Sequence, residues 1–314
     1  MKALVTGGAG FIGSHLVDHL VESGFEVVVV DDLSMGAISN IKHWEQITIY
    51  VADVCDDKFM QQLLADERPD YIYFLAAIAS VADSIERPAE THAVNHTAVF
   101  NLLEHIRQIR LPIKQFLFTS SAAVYGNLPE LPKREDSRVA PVSPYAIIDK
   151  YATERFVLAY GELYDLPTVC VRFFNVYGPR QNPSSPYSGV LSILTDCLKT
   201  QRPFTLFGDG TQTRDFVYVS DVIKALWLIT EHQVQHEVIN IANGLETSLN
   251  GIIQMYQEIA GQQLEIKRAE QRGGEVDHSV ASIGKLVRLN YESEWPLRRG
   301  LTKYWEGECE HARS

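Results

Sequence analysis

The stretch KALVTGGAGFIGSHLVDHLVESGFEVVVVD, residues 2–31, decides how this chain is read. Its first five residues are a short apolar run that predicts a strand. TGGAGFIG follows, with Gly7, Gly10 and Gly13 at G-x-x-G-x-x-G spacing. A helix is expected over about 11–23, closed by Gly24 just past its end. EVVVV is a β-branched run of the kind buried on both faces of a sheet. It ends at Asp31, eighteen residues after Gly13. Each part has a physical task. Glycines permit a tight turn, close approach of the backbone to a pyrophosphate, and close packing of helix on strand. Unpaired N–H groups at the helix N-terminus suit phosphates. An acid at the end of the second strand accepts hydrogen bonds from a ribose diol, which favours NAD over NADP. Asp31 ends the strand directly and is preferred to Asp32 for that role.

Outward from this unit the alternation continues. ITIYVAD (47–53) reads as a third strand. Asp53 at its end either meets the adenine amino group or caps the helix beginning near Asp56. YIYFLAA (71–77) is a fourth strand whose small last residues, Ala76 among them, leave room for a cofactor against the backbone. A long helix over 91–109 carries Val94, Ala98, Leu102 and Ile106 on its apolar face. Asn95 on it is read as a buried polar anchor rather than a ligand. QFLFTSS (115–121) is a fifth strand, with Ser120 and Ser121 at its carboxyl end. SPYAIIDKYATERF opens a helix running to about 164, and TVCVRFF (168–174) is a further strand ending at Asn175. Strands alternating with helices imply an α/β fold with a doubly wound parallel sheet. Residues 177–188 are rich in Pro, Asn and Ser and read as a loop. The interleaved helices and short strands beyond them read as a second, smaller α/β lobe. The expected division is 1–172 plus about 214–243 for cofactor binding, and about 173–213 plus 244–314 for substrate binding.

Composition narrows the partners. With 314 residues the chain exceeds the usual single core, and 46% hydrophobic residues fill one well. A formal net charge of -12 disfavours nucleic acid and anionic membrane. The four cysteines form no C-x-x-C pair, which suits a reducing cytoplasm. The ten histidines make no H-x-x-x-H or Cys/His cluster, so no metal site is expected. No apolar run approaches the roughly 20 residues that span a bilayer. The chain enters its first strand at once, which leaves no room for a signal peptide.

Ser121, Tyr145 and Lys150, together with TGGAGFIG, Asp31, SSAAVYG, FFNVYGPRQ and GDGTQTRDFVYVSDV, resemble the extended short-chain dehydrogenase/reductase superfamily. Within it the chain is most similar to the NAD-dependent epimerase/dehydratase family, and there to UDP-glucose and UDP-N-acetylglucosamine 4-epimerases. The resemblance implies a Rossmann sheet holding NAD through Gly7, Gly10, Phe11, Ile12, Gly13, Asp31, Asp53, Val54, Ala76 and Lys150. It implies that Tyr145 takes the proton of the sugar 4-hydroxyl, aided by Lys150, while Ser121 orients that hydroxyl. A free tyrosine has a pKa of about 10, and a neighbouring ammonium and the positive nicotinamide ring favour the phenolate. In an epimerase the 4-keto sugar then turns over in the pocket and is reduced on its other face. Asn175, Arg214 and Arg272 match contacts to the UDP-sugar, where rigid guanidinium donors suit a diphosphate. Ser279 falls where some relatives carry tyrosine; serine leaves room for a 2-acetamido group. Ala122 and Ala123 follow Ser121 where dehydratases and decarboxylases carry an acid, which disfavours elimination and decarboxylation. The expected reaction is therefore interconversion of UDP-GlcNAc and UDP-GalNAc. A UDP-uronic acid 4-epimerase, a 4-keto reductase and a non-catalytic NAD or UDP-sugar-binding regulator are the alternatives. The family also implies a homodimer through a four-helix bundle.

One departure stands out. The family spaces its motif Y-x-x-x-K, whereas Tyr145-Ala-Ile-Ile-Asp-Lys150 is one residue longer. On a regular helix this separates the two side chains by about 140° around the axis. Either Tyr145 precedes the regular helix, or a π-bulge restores the facing, or the pair is broken. Tyr151 offers no substitute, because Arg155 stands four residues beyond it.

Overall fold

The computed structural model describes residues 1–181, 189–270 and 276–311. Twelve strands occur among them: β1 Lys2–Thr6, β2 Glu26–Asp31, β3 Thr48–Val51, β4 Tyr71–Phe74, β5 Gln115–Ser121, β6 Thr168–Phe173, β7 Asn175–Tyr177, β8 Phe204–Phe207, β9 Thr213–Tyr218, β10 Glu237–Ile241, β11 Glu246–Ser248 and β12 Ile266–Ala269. The chain forms two compact units. The first comprises Met1–Val124, Pro141–Arg172 and Leu226–Ile239, and the second Tyr125–Ala140, Phe173–Ala225 and Asn240–Ser314.

A seven-stranded sheet of order β10-β6-β5-β4-β1-β2-β3 runs through the first unit. β1 pairs in parallel with β2 on one side and β4 on the other, and β2 with β3 and β4 with β5 are likewise parallel. Winding reverses between β1 and β4, which opens a crevice at the carboxyl ends of those strands. Helices cover the sheet, and the strands are correspondingly apolar on both faces: Val27 to Val30 of β2 are each 1% exposed or less. Leu102, Leu103 and Ile106 of helix Ala98–Ile109 pack into one cluster with Leu4, Val28, Ile72, Phe74 and Phe118. Each such side chain contributes about 1.5–3 kcal/mol by leaving water.

One helix differs from its expected form, and a second takes the π-helical form that the Tyr145–Lys150 spacing left open. The segment expected as one helix over 91–109 is a short helix Pro88–His92, a π-helical turn Ala93–Thr97 and the helix Ala98–Ile109. The segment after Pro144 is a π-helix Tyr145–Ala152 continued by the α-helix Thr153–Tyr164.

In the second unit β9 pairs in parallel with β7 and antiparallel with β11, and β8 pairs with β12. Tyr177, Leu194, Phe204, Phe216, Ile252, Tyr256 and Tyr304 form its core. Asn175 does not end the preceding strand but opens β7. The sequence division allotted 214–225 to the first lobe; β9 lies instead with the second, because its partners are β7 and β11. Residues 125–140 also belong there. Tyr125 Oη donates to Asn240 Oδ1 at 2.6 Å, and Lys133 N donates to Val280 O at 2.8 Å.

Candidate functional site

The glycine turn joins β1 to helix Phe11–Glu22. Gly7 has φ +69°, and a Cβ on it would stand 2.7 Å from Ala76 N. A Cβ on Gly13 would stand 2.0 Å from Gly7 O. Only glycine fits at either position. The helix starts at Gly10 with no side-chain cap and no acid in its first turn. The first-turn amides of Phe11, Ile12 and Gly13 are those for which a helix supplies no carbonyl, and they suit a diphosphate.

Asp31 closes this turn. Its Oδ2 accepts from Ala9 N at 2.8 Å and its Oδ1 from Leu33 N at 2.9 Å. Burial pushes its carboxyl up from the usual range, and these amide bonds oppose the shift. Asp32 is exposed and binds Ser34 N and Oγ at 2.9 and 2.6 Å. Ala76 N donates to Thr6 Oγ1 at 3.2 Å, which brings the end of β4 beside the glycine turn. Asp53 folds back on Cys55 N at 2.8 Å, and Asp56 is the residue that caps helix Asp57–Glu67, accepting from Phe59 N. The capping alternative for Asp53 is thus corrected. The Val54 side chain packs in the core, 8% exposed, so only its backbone is open to a ligand. The dinucleotide cradle fits the residues present: a glycine turn that a Cβ would fill, and a carboxylate at the end of β2.

The three reactive side chains converge at the carboxyl end of β5. Ser121 ends that strand and shares a side-chain hydrogen bond with Tyr145. Lys150 is 3% exposed, and its Nζ donates to Thr119 O at 2.9 Å. The same nitrogen lies 5.7 Å from the centre of the Tyr145 ring and 5.2 Å from that of Phe118. The π-helix makes this possible. Its i→i+5 pattern brings the residue five positions on, Lys150, back over the first, where an α-helix would turn it away. Burial pushes the Tyr145 phenol up to about 12, with the Ser121 bond working against it. Burial also pushes Lys150 down to about 8, and the negative charge of Asp149 opposes that shift. Burial therefore favours the neutral phenol, and positive charge beside it favours ionisation.

Asn95 ties this centre to the segment following β4. It is 1% exposed, accepts from Ile78 N at 2.9 Å and donates to Ile78 O at 3.0 Å. Its Nδ2 also donates to Asp149 Oδ2 at 3.2 Å. It is the buried anchor expected. The part played by Asp149 was not expected, although it stands directly before Lys150.

In the second unit, Asn175 Nδ2 donates to Asp215 O at 3.4 Å and borders a cavity of about 140 Å³ with Gln181, Val190, Leu191 and Phe216. Arg214 on β9 is half-buried, and its Nη1 donates to Thr213 O at 2.8 Å. Asp215 beside it is fully buried and accepts from the amides of Asn243, Gly244 and Ala281 at 2.8, 3.0 and 3.1 Å. Burial pushes its carboxyl up to about 6. Asp277 O accepts from Thr213 N at 2.9 Å, and His278 Nδ1 lies 3.1 Å from Thr213 Oγ1. The half-buried Ser279 is therefore held close to the strand that carries Arg214. Arg272 lies outside the described residues. Among the described residues, no group of His, Cys, Asp and Glu is placed to hold a metal ion. No helix among them is long and apolar enough to cross a membrane.

A model of the NAD dependent epimerase/dehydratase family matches residues 3–242. The UDP-glucose 4-epimerase of Mycolicibacterium smegmatis is 38% identical over 265 residues, 83% of this chain and 82% of that protein. The crystal structure of UDP-glucose 4-epimerase with UDP-glucose from Thermotoga maritima superposes with a TM-score of 0.94 at 36% identity, covering 99% of this chain and 100% of that one. UDP-N-acetylglucosamine 4-epimerase from Methanobrevibacter ruminantium, in complex with UDP-N-acetylmuramic acid, gives 0.92 at 32% identity over 99% and 98% of the two chains.

Proposed function

The chain belongs to the NAD dependent epimerase/dehydratase family, and from that premise we propose that it epimerises the C4 carbon of UDP-N-acetylhexosamines, interconverting UDP-GlcNAc and UDP-GalNAc. The observation that carries the catalytic part is the convergence of Ser121, Tyr145 and Lys150 at the carboxyl end of β5. NAD held by the glycine turn and Asp31 would supply a reversible hydride acceptor for the C4–H bond. Tyr145 removes the 4-hydroxyl proton and gives it back to the epimeric alcohol. Lys150 supplies the positive charge that favours the phenolate and binds the nicotinamide ribose. Ser121 orients the 4-hydroxyl through the hydrogen bond it shares with Tyr145. Ala122 and Ala123 offer no second acid or base, which supports a reaction confined to C4. Asn175, Arg214 and Arg272 take the nucleotide diphosphate.

The substrate preference rests on Ser279, whose short side chain leaves space for an acetamido group. Incubation with NAD and each of UDP-GalNAc, UDP-galactose and UDP-galacturonate, followed by proton NMR, tests the reading. Conversion of UDP-GalNAc to UDP-GlcNAc as the fastest reaction is expected. Preference for either other sugar would overturn the acetamido assignment, and no conversion of any would overturn the epimerase itself.

The active form in this reading is a homodimer. Helices Ala98–Ile109 and Thr153–Tyr164 share a row of rings, Phe100, Phe156, Tyr160 and Tyr164, with successive centres 5.2, 4.6 and 4.6 Å apart. Phe100, Leu163 and Tyr164 are 37%, 74% and 44% exposed. A second copy of the same helix pair would cover them in a four-helix bundle.

A further inference from the structure

Lengthening the Tyr–Lys step by one residue creates a problem that a π turn solves only if something holds the turn. An isolated π turn is rare. Two such turns occur among the described residues, Ala93–Thr97 and Tyr145–Ala152, and they pack against each other. One side chain from each joins them. Asp149 is 2% exposed and accepts from Asn95 Nδ2 at 3.2 Å. Its other oxygen lies 3.4 Å from His92 Nδ1. Thr153 adds a second tie, with His96 Nδ1 2.8 Å from its Oγ1. The neighbouring residues Ile147 and Ile148 are 44% and 45% exposed, so these two side chains contribute little packing to the turn.

We propose that Asp149 is a positioning residue for the Tyr145–Lys150 pair: its buried carboxylate clasps Asn95 across the two π turns and keeps Lys150 in place and charged. Asn95 is itself bonded to the backbone of Ile78, so the clasp sets the helix against the segment following β4. The charged or titratable groups around Asp149 are His92 and His96 from the facing turns and Tyr145 and Lys150 from its own. Its negative charge raises both the phenol and the ammonium. Removing the charge while keeping the shape therefore lowers both. Turnover that needs Tyr145 ionised and Lys150 protonated should give a bell-shaped pH dependence of kcat, and that bell should then move as a whole toward acid.

The inference rests on the reading of Tyr145 and Lys150 as the reacting pair, and its test separates the two. In full-length protein labelled with 13C-lysine, the Lys150 signal, identified by its loss in Lys150→Met, is titrated in wild type and in Asp149→Asn. The Asp149→Asn signal should titrate about one pH unit lower, and both limbs of its kcat profile should move the same way. In Asp149→Ala, which also loses the clasp, kcat should fall by about tenfold or more, with substrate KM changed far less. An unmoved Lys150 titration, or Asp149→Ala with wild-type kcat, overturns the proposal. If wild type turns over no UDP-sugar the function reading fails, and the lysine titration alone still decides the role of Asp149.

Discussion

Lys150 Nζ lies 5.7 Å from the centre of the Tyr145 ring, although the two residues are five apart in the chain. An α-helix would place them about 140° apart around its axis; the π-helix Tyr145–Ala152 brings them together. The extra residue is thus absorbed locally. Ile148 is 45% exposed and contributes little to the core. Deleting it should turn the π turn into an α turn with a four-residue step, which again puts phenol and ammonium on one face. The deletion variant should fold and keep kcat within about tenfold of wild type, since misplacement by an ångström costs about a hundredfold. A loss of more than that, with an unchanged circular dichroism spectrum, would show that the π turn does more than absorb an insertion.

Tyr145→Phe removes only the phenolic oxygen. General acid–base groups contribute about 10²- to 10⁴-fold, and turnover should drop within that range. Cofactor binding, followed by NAD titration of the apoprotein, should stay within about twofold, because Asp31 and the glycine turn are untouched. Undiminished turnover would remove Tyr145 from the mechanism.

Asp215 carries a pH signature. Its folded pKa is raised from 3.8 to about 6 by burial, so the folded state binds the proton more tightly than the unfolded one. For a carboxyl shifted upward, the stabilising contribution is complete below pH 3.8 and is lost as pH rises through 6. Two pKa units correspond to about 3 kcal/mol. Asp215→Asn abolishes this titration. Its stability relative to wild type should therefore improve between pH 4 and pH 7, against a constant offset from the amide contacts to Asn243, Gly244 and Ala281. Denaturant midpoints for both proteins across that range measure the difference, and a flat difference would remove Asp215 as the titrating group.

Leu163 is 74% exposed beside the ring row on helix Thr153–Tyr164. Leu163→Glu places a charge where a second copy of the helix pair would pack, and burying an unpaired charge costs several kcal/mol. Light scattering should find the variant monomeric and wild type dimeric. A monomeric wild type would dispose of the bundle.

The parts of this site that read directly from the sequence are local ones. Gly7, Gly13 and Asp31 owe their positions to one strand–turn–helix–strand unit, and the backbone there leaves little choice: φ +69° at Gly7 and a contact of 2.0 Å for any side chain on Gly13. Long-range partners decide the rest. Whether Tyr145 and Lys150 meet depends on Asn95, 54 positions before Asp149, and on Thr119 in another strand. Asp149 reads in isolation as one more acid on a helix. The allotment of 214–225 depends on β9 choosing β7 and β11, which no local periodicity encodes.

Ser279 tests the choice of sugar. It is half-buried and held near the strand of Arg214 through the bonds of Thr213 to Asp277 and His278. In the proposed reading a tyrosine at this position would occupy the volume that an acetamido group needs, and such a clash discriminates against the larger sugar. In the Ser279→Tyr variant, kcat/KM for UDP-GalNAc should fall by about a hundredfold, the scale at which one misfitted group discriminates substrates. UDP-galactose turnover should change by less than about threefold, since the reacting pair and the diphosphate contacts are unaltered. Parallel kinetics with the two sugars give the ratio directly. An equal loss for both would mean that the tyrosine disturbs the nucleotide end instead, and the acetamido preference would then lose its structural basis.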